Sequence, residues 1–419
     1  MNSNLKYYAK HNLIIKKKIN KIDEYNKLHN DKILDKYNSK FLEVFRNAIK
    51  NSKFYKDFYR KNGILSNDIK DITDINKLPI INKTIIKDSI NEIFVGNKYL
   101  KIKAFTSGTS GSPLTVFRTP GSILNEEAYL QFYRTSNGFK EGRSILSIKG
   151  FLGKNEIYQY DKKQNKLFIS GPNINESNIR FLFSLIKEFN PVSIEAFPSY
   201  LFKFVTELEK INYHIKIPVS FTSSETLYEF QRLKIESYLN TIIYDWYGNV
   251  ERTIAIAQNL DKEYYTLPLY SINEYKKNKI ITTSLINKSF PLIRYEVDDI
   301  IKVESNGLIE NIVCPKIKSI EGRASEYIEL KDGSIISCID HAFKGISHLE
   351  MAQVHQSKID KSIEIKVVVT EQYNKNDEEQ LRGNIKRLLG NDKEFIIRKC
   401  KYEELEYNNQ KKYKLIIKK

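Results

Sequence analysis

Hydrophobic and polar positions divide the chain into three stretches of different rhythm. Residues 1 to about 95 read as helical and charged, with the aromatic pairs Phe54-Tyr55 and Phe58-Tyr59 one helical turn apart. Pro79, in Leu78-Pro79-Ile80, disfavours helix at its predecessor and marks a boundary. From about 100 to 320, β-rich runs alternate with helical ones. Ile145 to Ile148 predicts a strand, Ile174 to Phe189 a helix, Val192 to Phe197 a strand and Ser199 to Lys210 a helix. Val219 to Thr222 then predicts a strand, Tyr228 to Leu239 a helix and Ile242 to Trp246 a strand. Strands separated by helices of this length predict βαβ units and a parallel sheet with helices on both faces.

After Asp299 the rhythm shortens. Strands are expected around Ile300-Ile301, Ile328 to Leu330 and Ile335-Ile336, with Asp332-Gly333 as a tight turn. Ile363 to Thr370 then predicts a strand, Asp377 to Leu389 a helix and Phe395 to Arg398 a strand. The fold class is therefore α/β, with a large N-terminal part of parallel sheet flanked by helices and a small C-terminal α+β unit. The boundaries are 1–322, whose first 95 residues form the helical lead segment, and 323–419. No internal repeat and no low-complexity linker interrupts them.

Composition narrows the functional classes. The 419 residues, 41% of them apolar, are enough for more than one core. The formal net charge of +17 raises the prospect of a nucleic-acid binder, but Lys is spread along the whole chain and interleaved with Asp and Glu. Diffuse charge of this kind favours solubility and attraction for small anions such as nucleotides, and no nucleic-acid partner is expected. Cys314, Cys338 and Cys400 are far apart, with neither a disulfide framework nor zinc-ligand spacing. His341, His348 and His355 recur every seven residues without lying on one amphipathic helix, and read as structural or surface residues. No run approaches the roughly 20 apolar residues that span a bilayer. The N-terminal Lys16-Lys17-Lys18 region lacks a signal-peptide core, so a cytoplasmic protein without membrane insertion is expected.

The densest chemical signal is Phe105-Thr106-Ser107-Gly108-Thr109-Ser110-Gly111-Ser112-Pro113-Leu114. Its two glycines allow a tight turn that points backbone N–H groups at an anion, and four hydroxyl residues beside them can donate to phosphate oxygens. A Ser/Gly-rich surface loop has the same composition, and the Walker pattern is not present. Position ahead of the βαβ run favours a phosphate loop.

With that segment, the chain resembles the adenylate-forming superfamily of acyl-CoA synthetases, peptide-synthetase adenylation domains and luciferases. Leu114, in place of a loop lysine, is more like the phenylacetate–CoA ligase branch, which includes CapK-type proteins. Phe54-Tyr55 through Gly63-Ile64, Leu78-Pro79-Ile80 with Asn82-Lys83, and Phe197-Pro198-Ser199-Tyr200 resemble the same branch. The resemblance spans nearly the whole chain and implies a set of site residues. Ser223-Ser224-Glu225 would lie along adenine. Tyr244-Asp245-Trp246-Tyr247-Gly248-Asn249-Val250-Glu251 is similar to the Y-G-x-x-E signature, with Tyr247 stacking on adenine and Gly248 allowing close backbone approach. Glu251, a hard oxygen ligand, would hold the Mg²⁺ that accompanies ATP. Asp299, in Arg294-Tyr295-Glu296-Val297-Asp298-Asp299, would accept from both ribose hydroxyls.

Gly322-Arg323-Ala324-Ser325-Glu326 resembles the hinge before a small mobile domain, with Arg323 approaching the nucleotide. Lys412, in Lys411-Lys412-Tyr413-Lys414, is similar to the C-terminal lysine that reaches the site during adenylation. Catalysis is thus expected from Lys412, Thr106 and Glu251, with ATP held by Ser107, Gly108, Thr109, Ser110 and Gly111 together with the residues above.

Five positions depart from the family pattern: Leu114, Val250, Asp298, Glu326 and Lys411. The implied activity is ATP-dependent activation of a small carboxylic acid as its acyl-AMP, then transfer to an amine, a thiol or CoA, in surface polysaccharide or small-molecule biosynthesis. A CoA ligase, a nucleotidyl transferase that keeps AMP on its substrate, and a nucleotide-binding scaffold without turnover remain as alternatives. The acid, the acceptor and the oligomeric state are not legible.

Overall fold

A computed structural model describes the chain apart from residues 1–2, 107–113, 141, 151, 153–155, 277–278, 298, 305–306, 314, 324–326, 332–334, 337–338, 344–345, 347, 391–392 and 408–412. It divides into two compact units, Met1–Phe139 with Trp246–Ile320, and Lys140–Asp245 with Glu321–Lys419. Each has its own apolar core.

In the first unit, the helix Asn30–Asn51 buries Ile33, Tyr37, Phe41, Val44, Phe45 and Ala48 at three- and four-residue spacing, which puts them on one face. The helix Lys53–Lys61 starts where the Ser52 side chain accepts from the Tyr55 N–H, and the helix Lys83–Ile93 where Asn82 accepts from Ile85. The N-terminal lead is therefore helical as the spacing predicts, interrupted by 3-10 turns at Ser66–Asp68 and Ile72–Lys77 that end ahead of Pro79. Tyr55 ties this lead to residues 291–293: its hydroxyl donates to the Pro291 carbonyl and accepts from the Ile293 N–H.

Arg294 makes the tie rigid. Its guanidinium forks onto Glu274 with bonds of 2.8 and 2.7 Å, both side chains buried, and also donates to the Asn76 and Leu78 carbonyls. A buried ion pair with its remaining donors satisfied fixes geometry, whichever way its net stability falls.

In the second unit, Ile145–Lys149 runs parallel to Lys166–Ser170 on one side and to Ser193–Ala196 on the other, and Ser193–Ala196 runs parallel to Val219–Ser223. The helices Glu176–Phe189, Pro198–Lys210 and Glu229–Leu239 connect them, as the alternating pattern predicts. Strand Ser193–Ala196 is buried along its whole length, as expected of a parallel strand covered on both faces. Asn190 and Asn240 close two of the helices in the left-handed conformation.

The C-terminal residues of this unit form a four-stranded sheet in the order Ile396–Lys399, Ile363–Val369, Leu349–Gln356, Ile416–Lys418, beside the helix Lys375–Leu389. Their apolar residues join the same core cluster as residues 146–243.

Two expectations need correction. The parallel pattern does not continue past Gly248: Ala255–Gln258 pairs antiparallel with residues 246–248 and with Tyr264–Thr266, and Ser271–Lys276 pairs antiparallel with Lys279–Ser284. Connections this short cannot hold a crossover helix, so successive strands must reverse. The strand Leu349–Gln356 is also absent from the sequence reading. All eight of its residues are buried, Glu350, Gln353, His355 and Gln356 included, so polarity does not alternate along it. The Asp332-Gly333 turn lies outside the described residues.

Candidate active site

The glycine- and hydroxyl-rich segment is mounted on a β-hairpin. Strands Ile102–Phe105 and Thr115–Arg118 pair antiparallel with Phe105 opposite Thr115. Beyond that pair, Thr106 and Leu114 bond to each other twice. The Thr106 N–H donates to the Leu114 carbonyl at 2.9 Å, and the Leu114 N–H donates to the Thr106 hydroxyl at 2.9 Å. The hydroxyl is an acceptor here and keeps its own proton for another partner. Leu114 is 1% exposed and belongs to the core, which gives a physical reason for an apolar residue there. Ser107, Gly108, Thr109, Ser110 and Gly111 lie outside the described residues, as do Lys412, Asp298 and Glu326; Arg323 is the last residue of the strand Lys316–Arg323.

The segments 244–252 and 294–299 meet. The Tyr247 hydroxyl donates to an Asp299 carboxylate oxygen, and the Tyr295 hydroxyl donates to Glu251 Oε1 at 2.9 Å. Tyr247 and Asp299, the residues expected at adenine and ribose, are therefore neighbours across 52 residues of sequence. Gly248 is required sterically: a Cβ would stand 2.9 Å from the Trp246 indole nitrogen and 3.4 Å from the Ile254 carbonyl. After it the turn is set by Asn249, whose side chain accepts from the Thr253 N–H and donates to the Thr253 hydroxyl.

Glu251 is 7% exposed. Burial pushes its carboxyl above the usual range, against the opposing effects of its own N–H, the Tyr295 hydroxyl and the charge of Lys83, and the Asp299 charge pushes it the same way. A desolvated carboxylate with so little cationic compensation is a site where a divalent cation would be welcome. Among the described residues no group of three or more His, Cys, Asp or Glu could hold a metal unaided. One carboxylate plus substrate phosphates and water is the usual way of holding Mg²⁺, and the residues fit it.

Three arginine-centred contacts around this turn escaped sequence reading. Arg118 donates to the Val250 carbonyl at 2.5 Å. Arg252 donates to the Ser122 carbonyl at 3.0 Å, and its Nε lies 4.0 Å from Glu126. Glu126 in turn accepts from the Tyr270 hydroxyl. Position at the end of the hairpin (Arg118) and after Glu251 (Arg252) was the available signal, weak in a chain so rich in basic residues.

The second unit carries the remaining candidates. Ser223 ends the strand Val219–Ser223, and Ser224 adopts φ +74, a left-handed conformation that a serine holds only where its surroundings impose it. Arg252 (φ 57) and Arg294 (φ 52) share it, whereas Asn165, Asn190, Asn212 and Asn240 are the residue type that adopts it at ordinary turns and caps. Glu225 is a fastener. One carboxylate oxygen accepts from the Ser199 N–H in the first turn of the helix Pro198–Lys210 at 3.1 Å, the other from the Tyr413 N–H at 2.9 Å. Tyr413 is the residue after Lys412, and its ring packs edge-on to Tyr407, which stacks on Tyr200. His348 pairs with Asp377 at 2.8 Å and His355 with Gln353 at 2.9 Å, each inside the C-terminal sheet region.

With this geometry in place, comparison shows the fold to be that of the adenylate-forming ligases. A 2-hydroxyisobutyryl-CoA ligase, in the postadenylation state in complex with R3-HIB-AMP, superposes with a TM-score of 0.72 at 14% identity over 93% of this chain and 89% of that one. The anthranilate CoA ligase AuaEII in complex with anthranoyl-AMP superposes with a TM-score of 0.52 at 11% identity over 74% and 64%. In sequence, the chain is similar to protein CapK of Staphylococcus aureus, 24% identical over 318 residues that make up 72% of this chain and 70% of CapK. No family model matches the chain. No helix among the described residues is long and apolar enough to cross a membrane.

Proposed function

We propose that the protein is an AMP-forming ligase: ATP and a carboxylic acid give an acyl-adenylate and pyrophosphate, and the acyl group then passes to an acceptor. The observation that carries this reading is the meeting of Tyr247 with Asp299 and of Glu251 with Tyr295, because it joins an aromatic face, a ribose-type acceptor and a desolvated carboxylate in one neighbourhood. The fold of acyl-AMP-bound ligases supports it.

In this reading Tyr247 packs on adenine over Gly248, and its hydroxyl orients Asp299 for the ribose hydroxyls. Glu251 holds Mg²⁺, which supplies charge neutralisation on the phosphates when bound. The substrate carboxylate attacks the α-phosphorus in line, and the Thr106 hydroxyl, the Ser107–Gly111 backbone and Lys412 stabilise the negative charge that develops. Ser223 and Ser224 line the nucleotide. Glu225 holds the Tyr413 N–H, and so the chain one residue beyond Lys412. Residues 323–419 form a small domain that turns about Arg323–Glu326 between the two half-reactions. CoA, an amine or another thiol is the acceptor, within biosynthesis of a surface polysaccharide or small molecule in the cytoplasm.

Acid-dependent exchange of labelled pyrophosphate into ATP, run over a panel of carboxylic acids, tests the first half-reaction. Exchange with at least one acid that disappears in Lys412→Ala supports the assignment. ATP binding without exchange for any acid would overturn it in favour of a scaffold.

A further inference from the structure

A cavity of about 410 Å³ in the first unit is lined by none of the residues assigned to adenylation. Four of its lining side chains are Lys18, Lys21, Lys40 and Lys288, contributed by two helices and by the turn after residue 285. Its floor is apolar and aromatic, including Ile22, Tyr25 and Tyr129. Such a volume suits a small-molecule ligand.

The lysines are held together against their own repulsion. Lys18 donates to Asn125 Oδ1 at 2.5 Å, and Asn125 is braced by donating to the Ile286 carbonyl at 2.8 Å, so the ammonium is fixed on a neutral partner. Lys288 pairs with Glu43. Among the described residues no carboxylate is in ion-pair contact with Lys18, Lys21 or Lys40. Lys18 and Lys40 titrate below the ordinary lysine range, chiefly through burial and then through neighbouring lysines.

Two further features point the same way. The 17-residue helix Pro120–Ser136 begins at the cavity, with Gly121 in its first turn on the wall. The N-terminal end of a helix carries partial positive charge and favours an anion placed there. The hydroxyls of Thr119 and Ser289, 3.4 Å apart, also line the cavity and are available to phosphate oxygens.

We infer that this cavity binds a phosphorylated small molecule, its phosphate among Lys18, Lys40 and the start of the helix at Pro120 and its carbon skeleton on the floor by Tyr25 and Tyr129. A phosphate dianion offsets the mutual repulsion of the lysines, which a neutral ligand cannot do. The inference does not depend on the adenylation reading, since it uses a different set of residues.

The test is amine-acylation footprinting of the full chain, read by mass spectrometry, with inorganic phosphate, inorganic pyrophosphate and phenyl phosphate as probes. Pyrophosphate is expected to protect Lys18 and Lys40 selectively, and phenyl phosphate to do so at lower concentration than inorganic phosphate. Lys18→Gln with Lys40→Gln should weaken binding of phenyl phosphate about a hundredfold, the effect of losing two charge-assisted bonds, while Lys18→Arg with Lys40→Arg retains it. ATP affinity should be unchanged in both, and the Gln variant should melt no lower than the native chain, because it relieves the repulsion between the lysines. Equal labelling of Lys18 and Lys40 with and without every probe overturns the inference. So does loss of ATP affinity in the Gln variant, which would make the cavity part of the nucleotide site.

Discussion

Glu251 and Glu225 are two carboxylates from neighbouring motifs, one in each compact unit, and their surroundings are opposite. Glu251 is buried with a tyrosine hydroxyl on one oxygen and a carboxyl pushed up by desolvation. Glu225 is partly exposed and has a backbone N–H on each oxygen, one from a helix start and one from the C-terminal segment. A charge kept from water with few donors retains its capacity to bind a cation. A charge taken up by two backbone donors has become an architectural joint. Residue type alone does not separate the roles; partner count and solvent do.

Breaking the first of these should cost the most. Glu251→Ala is expected to lower kcat/KM for pyrophosphate exchange about a hundredfold or more, through the several kcal/mol that a correctly held metal contributes. Stability should move the other way. Because the folded carboxyl sits above its unfolded value, the folded state binds more protons across that interval, and stability falls as pH rises through it. Glu251→Gln removes this dependence, so ligand-free protein should melt at higher temperature near neutral pH, as a calorimetric series against pH would read.

The joint should respond differently. Glu225→Ala leaves the Ser199 and Tyr413 N–H groups without their acceptor, at about 1–3 kcal/mol each if they stay dry. Hydrogen exchange at the Tyr413 amide should accelerate about tenfold or more, while Mg²⁺ dependence of exchange activity remains unaltered. A shift in Mg²⁺ dependence would show that Glu225 serves the metal and that the contrast is false.

Tyr295→Phe sharpens the comparison from within the first site. Losing the outer partner of a metal-holding carboxylate typically costs 10-fold to about 100-fold in metal affinity, so the Mg²⁺ concentration for half-maximal exchange should rise by about tenfold. The acid limb of the pH profile should move to higher pH, since the Tyr295 bond holds the Glu251 carboxyl down. Gly248→Ala acts on stability instead: it forces the Trp246 indole aside from 2.9 Å, costing about 1–3 kcal/mol of overpacking. Emission from the single tryptophan, with Tm, reports it.

The elements best read from sequence were the ones with strong periodicity. The helices from 174 to 239 and the strands at 145, 193, 219 and 242 follow the alternation of apolar runs with amphipathic ones, to within a residue or two, whereas the parallel strand Lys166–Ser170 was not read. The antiparallel half was legible as strands but not in its direction, because direction depends on connection length and on partners that no local pattern records. Leu349–Gln356 was invisible because Gln353 and Gln356 satisfy backbone groups of neighbouring segments, which makes buried polar residues look like surface ones. In the candidate site, Tyr247, Glu251 and Asp299 were picked out by motif resemblance, and their proximity came only with the fold. Glu225 was expected along adenine; the backbone bonds it accepts could not be foreseen, since one partner is 188 residues away.

The paired bonds between Thr106 and Leu114 have a consequence for how this protein can change. One main-chain bond and one bond from the Leu114 N–H to the Thr106 hydroxyl hold the two ends of the 107–113 segment together, and Leu114 anchors them to the core. Substitutions within that segment should therefore leave the melting temperature of the scaffold nearly unchanged, whatever they do to activity.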